Sequence, residues 1–230
     1  MRPITERLSP VIRALVILDA VLFAFYALVP QARIFFNEHL ALGPAALTGE
    51  VWQPITALFI HIDFVSFLFN IIGLWFVGAA IERSLGTRRF LILFFVAGVA
   101  ANIVTLLLGI RAGLPGLIAG PGRAILALFV AFGVVFDRTP ARVWGALVVE
   151  ARLLTAILVG FALVADLAAG SLPALAGDLA AIVIGYLLAG GRGESVRKLW
   201  GGMRTKRTRR RYQVLEGGKG SSSGRPPYLN

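Results

Sequence analysis

The chain has 230 residues, 57% of them hydrophobic and only 15% charged, with a mean hydropathy of +0.80. Such values lie outside the range of soluble globular domains and point to a protein that crosses a membrane several times. Its lack of cysteine excludes disulfides, thiolate chemistry and cysteine-ligated clusters, and two histidines, His39 and His61, are too few for a histidine-built metal centre, so no metal or other cofactor is implied.

The formal net charge of +11 is concentrated at one end. From residue 191 onward, eleven Lys/Arg stand against Glu194 and Glu216. In a soluble chain such a balance suggests nucleic acid, but this segment has too few aromatics for base stacking. It reads instead as a basic cytoplasmic tail, with Arg204, Lys206, Arg207, Arg209, Arg210 and Arg211 attracted to anionic lipid headgroups. Its Gly, Ser and Pro content cannot bury a core, a short amphipathic stretch near Val196–Trp200 excepted.

Residues 1–12 are polar and are followed by a long apolar run with no small-residue cleavage site, so no signal peptide is expected. Hydropathy predicts six spans, near 13–30, 60–82, 90–109, 121–137, 147–168 and 174–190. The segment between the first two, about 31–59, alternates Ile34, Phe35, Phe36, Leu40 and Leu42 with polar residues, and Trp52 stands where an interfacial anchor belongs. Gly109–Gly120 with Pro115 reads as a loop, and Asp137-Arg138-Thr139-Pro140 as a helix stop and turn. Arg2, Arg7, Arg13, Arg83, Arg88, Arg89, Arg138, Arg142 and Arg152 fall on the same side as the tail. The positive-inside rule then places both termini in the cytoplasm. The organisation is therefore residues 1–12, a six-helix domain over 13–190 and a tail over 191–230. No internal repeat is evident, which disfavours a transporter built from two halves.

Two charges open apolar runs. Arg123 follows Gly120-Pro121-Gly122, and Asp178 follows Ala176-Gly177. Charge at membrane depth is costly, so each marks a candidate site. A third, Asp19, is read as lying near the cytoplasmic interface in preference to facing the bundle beside Asn102. Small residues recur every fourth position at Gly177, Ala181, Gly185 and Ala189, and again at Ala127 and Ala131, which suits close helix contact.

The run Glu50-Val51-Trp52-Gln53-Pro54-Ile55-Thr56-Ala57-Leu58-Phe59-Ile60-His61 leads through Phe67-Leu68-Phe69-Asn70. It continues to Gly78-Ala79-Ala80-Ile81-Glu82-Arg83-Ser84-Leu85-Gly86. These spacings resemble the rhomboid family, and the likeness covers about residues 10–190. It implies an all-α six-helix membrane bundle. Active rhomboids are intramembrane serine proteases whose serine opens the fourth helix in Gly-x-Ser-Gly and whose histidine lies in the sixth. By that resemblance Gly122 stands at the serine position and Asp178 at the histidine position. Ser66 stands where an oxyanion-contributing histidine is expected, and Asn70 alone is retained.

No substitute pair is evident. His61 lies five residues from Ser66, a separation that does not share a helical face, and glycine at 122 leaves nothing for Asp178 to activate. The expected site is thus a degenerate cavity of Ser66, Asn70, Gly122, Arg123 and Asp178, with Arg123 and Asp178 paired and Asp166 an alternative partner for Arg123. Trp52 and Glu82 read as scaffold, an interface anchor and a cap or ion-pair residue. The function this predicts is a rhomboid-like pseudoprotease that binds transmembrane segments of client proteins without cleaving them, in a bacterial inner membrane. An active intramembrane protease and a small transporter or channel are the rivals.

Overall fold

A computed structural model describes residues 9–114, 116–143 and 147–190, with the side chains of 141–148 outside that description. The basic tail from residue 191, with Arg204, Lys206, Arg207, Arg209, Arg210 and Arg211, lies outside the described residues. The fold is mostly helical. Its principal helices are α1 (Pro10–Leu28), α2 (Phe64–Leu85), α3 (Thr87–Arg111), α4 (Gly122–Phe136), α5 (Ala151–Ala168) and α6 (Leu172–Leu188). Four of them, α1, α2, α3 and α5, are long and apolar enough to cross a membrane. The 15-residue α4 and 17-residue α6 are apolar but shorter. At about 1.5 Å rise per residue they are roughly 23 and 26 Å long, α6 a single residue shorter than α5.

Local chemistry sets these boundaries. Ser9 caps α1, accepting from Ile12 N at 3.1 Å, and Pro10 occupies the first turn where its missing N–H costs nothing. Asp63 caps α2 through the Ser66 N–H at 2.8 Å, so the helix starts four residues after the predicted 60. A π-helical turn at Leu74–Gly78 interrupts α2. Gly86, at φ +84°, ends α2 and begins α3, a conformation that suits glycine alone.

The connection between α4 and α5 corrects the all-helical expectation. Pro140–Val143 (β1) pairs antiparallel with Leu147–Glu150 (β2), in the register Pro140↔Glu150 to Val143↔Leu147. The apolar run predicted as a span from 147 therefore begins as a strand. Val148 and Val149 are β-branched, and helix starts only after Glu150, the N-cap of α5. The predicted turn is present, with Asp137 at φ +35°.

The main core fills the space between α1, α2, α3, α4 and α6, with Phe90, Phe94, Leu74, Ile81 and Leu128 essentially inaccessible. Backbones meet closely at Gly185, where an added Cβ would lie 2.7 Å from Ala127 O and 2.9 Å from Ala127 Cα. The side-chain-free strip on α6 lets α4 approach backbone to backbone. Ala181 on the same face is fully buried, and Ala189 packs against the core just beyond the helix end.

The segment before α2 is folded as well. Gln53, buried, accepts from Gly43 N at 2.9 Å and donates to Glu38 O at 3.2 Å and to Glu50. Glu50 also meets His39 Nδ1 at 2.7 Å, and the exposed Trp52 donates its indole N–H to His39 O at 2.8 Å. This lattice presents a rigid edge to the chain entering α4. Leu42 and Ile118 exchange N–H···O bonds of 2.9 Å, and Gly120 N donates to Ala57 O at 2.8 Å.

Candidate functional site

Those main-chain bonds bring the head of α4 to α2. A Cβ added at Gly122 would lie 4.0 Å from Asn70 Oδ1, and one at Gly120 would lie 3.6 Å from Asn70 Nδ2. Gly122 and Asn70 are therefore neighbours with open space between them. Position 122 offers no oxygen, sulfur or nitrogen on a side chain, so nothing there can attack a carbonyl. Ser66 is exposed and bonded to Asp63 instead. The Ser66 backbone and hydroxyl donors hold the Asp63 carboxyl below its ordinary range.

One residue further along, the Arg123 guanidinium crosses from α4 to α6 and α3. Its Nε lies 3.3 Å from Asp178 Oδ1, and its Nη1 donates to Asn102 Oδ1 at 3.3 Å. Both partners are shielded, with side chains 17% and 12% accessible. The Nε contact is electrostatic, since that N–H makes no hydrogen bond. Asp166, near the end of α5, has a buried Oδ2 without a hydrogen bond. Of the two carboxylates expected as partners, Asp178 is the one that pairs with Arg123.

Gly177 makes this crossing possible. A Cβ there would lie 2.7 Å from Arg123 Nε and 3.0 Å from Ala101 O, and would collide with Thr105 Oγ1. The glycine belongs to the helix-packing strip and also clears the path of the arginine. Asn102 is the residue that sequence reasoning missed as part of this site: it is fully buried and accepts from Arg123 Nη1. Asp19 is 2% accessible in the middle of α1, with Oδ1 unbonded, so its side chain faces the bundle, the alternative that the sequence reading ranked second. Neither residue type carries a signal that names its partner from sequence spacing.

His61 is buried and packs edge-on against Phe67 and Phe23, with ring centroids 5.3 and 6.5 Å away. Neither of its nitrogens has a hydrogen-bond partner. It acts as an aromatic filler between α1 and α2. Glu82 caps two elements, accepting from Ser9 Oγ and from Thr87 Oγ1, the latter at 2.7 Å. Beside Arg123 a cavity of about 420 Å³ opens between Thr105, Gly109, Leu117, Ile118 and Ser171. Asn70, Gly122 and Asp178 do not line it.

A bundle of apolar helices with a glycine at the head of α4, charges crossing behind it and polar loops packed over it is an integral membrane protein. Residues 48–194 match the family model described as the Rhomboid domain, so the chain belongs to the rhomboid family. It is 34% identical over 102 residues to YdcA of Bacillus subtilis (strain 168), covering 43% of this chain and 50% of that protein. It is also 34% identical over 93 residues to the rhomboid protease GluP of the same organism, covering 40% of this chain and 18% of the relative. With the rhomboid protease GlpG of Salmonella choleraesuis (strain SC-B67) it shares 25% identity over 99 residues, or 43% and 36% of the two chains. The matched stretches span half or less of these relatives.

Proposed function

We propose that this protein is a catalytically inactive rhomboid that binds transmembrane helices of client proteins without cleaving them. The observation that carries this reading is Gly122. The position facing Asn70 at the head of α4 has no nucleophilic atom, and Asp178 across the site is engaged with Arg123. Losing nucleophile and base together removes the covalent route. What remains is a scaffold with long apolar faces on α2 and α5, including Phe69, Ile72, Phe76, Ile157, Phe161 and Val164, which suit contact with lipid or with another apolar helix.

The short apolar α4 and α6 complete a six-span topology, with both termini on the cytoplasmic side. Positive-inside charge and the Bacillus relatives favour a bacterial inner membrane. The tail adds attraction to anionic headgroups.

The experiment combines chemistry with capture. Purified protein is expected to show no labelling by a fluorophosphonate probe and no cleavage of a transmembrane substrate. A photocrosslinker at Phe67, or at Phe161 on α5, is expected to trap a membrane protein. Reproducible cleavage that a serine probe blocks sinks the inactive reading, and empty crosslinks from both positions sink client binding. The protease reading keeps one support, namely that GluP and GlpG are named proteases, and the same cleavage assay decides it.

A further inference from the structure

We infer that the turn between α2 and α3 is a headgroup site for an anionic phospholipid, with Arg83 and Arg88 holding the phosphate and the apolar faces above them receiving the acyl chains. Such a site needs only that these helices lie in a membrane, so it stands whether or not the position at Gly122 is catalytic.

Arg83, Arg88 and Arg89 fall within seven residues, and all three are exposed. The carboxylate beside them, Glu82, does not neutralise them. It is buried, and both of its oxygens are occupied, one by the Ser9 hydroxyl and the other by the Thr87 hydroxyl at 2.7 Å. Neither Arg83 nor Arg88 forms an ion pair among the described residues. The bond from Ser9 also draws the first turn of α1, with the exposed Arg13, to this end of the bundle.

The backbone adds to this positive corner. α3 starts after Gly86 with no side-chain cap and no acidic residue in its first turn. A helix start favours negative charge, yet here two arginines occupy it, at a cost to the helix. An anion placed among them turns that repulsion into attraction. A phosphodiester suits the role, because arginine donates to two phosphate oxygens at once. The surface above the turn selects a lipid over a free phosphate. Trp75 and Phe76 are 45% and 59% exposed on α2. On α3, the exposed Val96 shares a helical face with Arg88, eight positions away. Apolar surface that runs to a cationic edge between two membrane helices matches a molecule whose acyl chains are joined to a phosphate.

The test uses the full chain in nanodiscs that mix phosphatidylglycerol with phosphatidylcholine, one or the other brominated on its acyl chains. Bromine quenches nearby tryptophan, and Trp75 lies roughly 12 Å along the helix from Arg83. The part of the quenching that disappears in Trp75→Phe therefore reports this site. Brominated phosphatidylglycerol is expected to be preferred there over brominated phosphatidylcholine by about fivefold or more, the equivalent of about 1 kcal/mol for a single arginine. Arg83→Gln and Arg88→Gln are each expected to lower that preference, and together to abolish it. Arg138→Gln removes the same charge from the exposed turn after α4 and is expected to leave it intact. Equal quenching by the two lipids in the parent protein overturns the site, as does a preference that survives the double substitution. An equal loss in Arg138→Gln reduces the effect to net charge and overturns it too. Release of the quenching by excess soluble glycerol phosphate would make the ligand a free phosphate and overturn the lipid. Circular dichroism checks that each variant keeps its helices, and were the double variant to unfold, the two single ones decide. No client is needed, so the lipid site can fail while client capture stands, and the converse.

Discussion

Arg123 carries the most chemistry of any single residue here. Moving a guanidinium out of water is expensive, and the protein offsets that cost with Asp178 and Asn102 from two other helices. A double-mutant cycle of Arg123→Ala and Asp178→Ala is expected to show a coupling of about 0.5–3 kcal/mol in detergent unfolding. Strict additivity there would mean the two charges act independently. Gly177→Ala is expected to destabilise by roughly 1–3 kcal/mol, because its Cβ meets Ala101 O and the arginine together. Gly122→Ser makes the opposite case. With the nearest atom 4.0 Å from the new Cβ, it is expected to alter thermal stability by less than about 0.5 kcal/mol. It is also expected to remain unlabelled by a fluorophosphonate probe, since Asp178 faces Arg123. Labelling of that variant would mean that a base has been overlooked.

At the scale of elements, Glu82 joins the start of α1 to the start of α3, although 73 residues separate it from Ser9. Glu82→Ala leaves the Ser9 and Thr87 hydroxyls without their acceptor and is expected to cost about 1–3 kcal/mol. Unchanged thermal stability would make it a passive surface charge. The helices themselves were largely readable as long apolar runs, but their starts were not, since Ser9, Asp63 and Gly86 set them three or four residues away from the predicted 13, 60 and 90. The small-residue strip Gly177–Ala181–Gly185 was readable for a similar reason, since four-residue spacing maps directly onto one helical face. The β1–β2 hairpin was not. Hydropathy scores Leu147-Val148-Val149 as membrane helix, and only the β-branched pair before Glu150 hints otherwise. The tie between Asn102 and Arg123 was hidden because the two residues belong to different helices, 21 positions apart.

For the whole molecule, the family and the site's position were legible in a dozen spaced residues, whereas its electrostatics needed the packed helices. Attraction of the basic tail to lipid remains a proposal on charge alone. It is testable with a dye on Ser222→Cys. Energy transfer from that dye to a bilayer acceptor is expected to be stronger with phosphatidylglycerol than with neutral lipid, and to weaken at about 1 M salt, where screening shrinks to roughly 3 Å. Equal transfer in both lipids would leave the tail free of headgroups.

The main-chain bonds that join Leu42 to Ile118 and Ala57 to Gly120 carry a consequence for how such a site can change. Carbonyls and amides belong to every residue, so this stitching does not depend on which side chains stand at 118, 120 or 122, provided that Gly120 keeps its positive φ of +94°. The mouth of the site is therefore shaped by one set of atoms and equipped by another. Serine and histidine can be exchanged for glycine and aspartate without loosening a single one of those bonds. A chain built this way can change the side chains of its site and still keep the architecture around it.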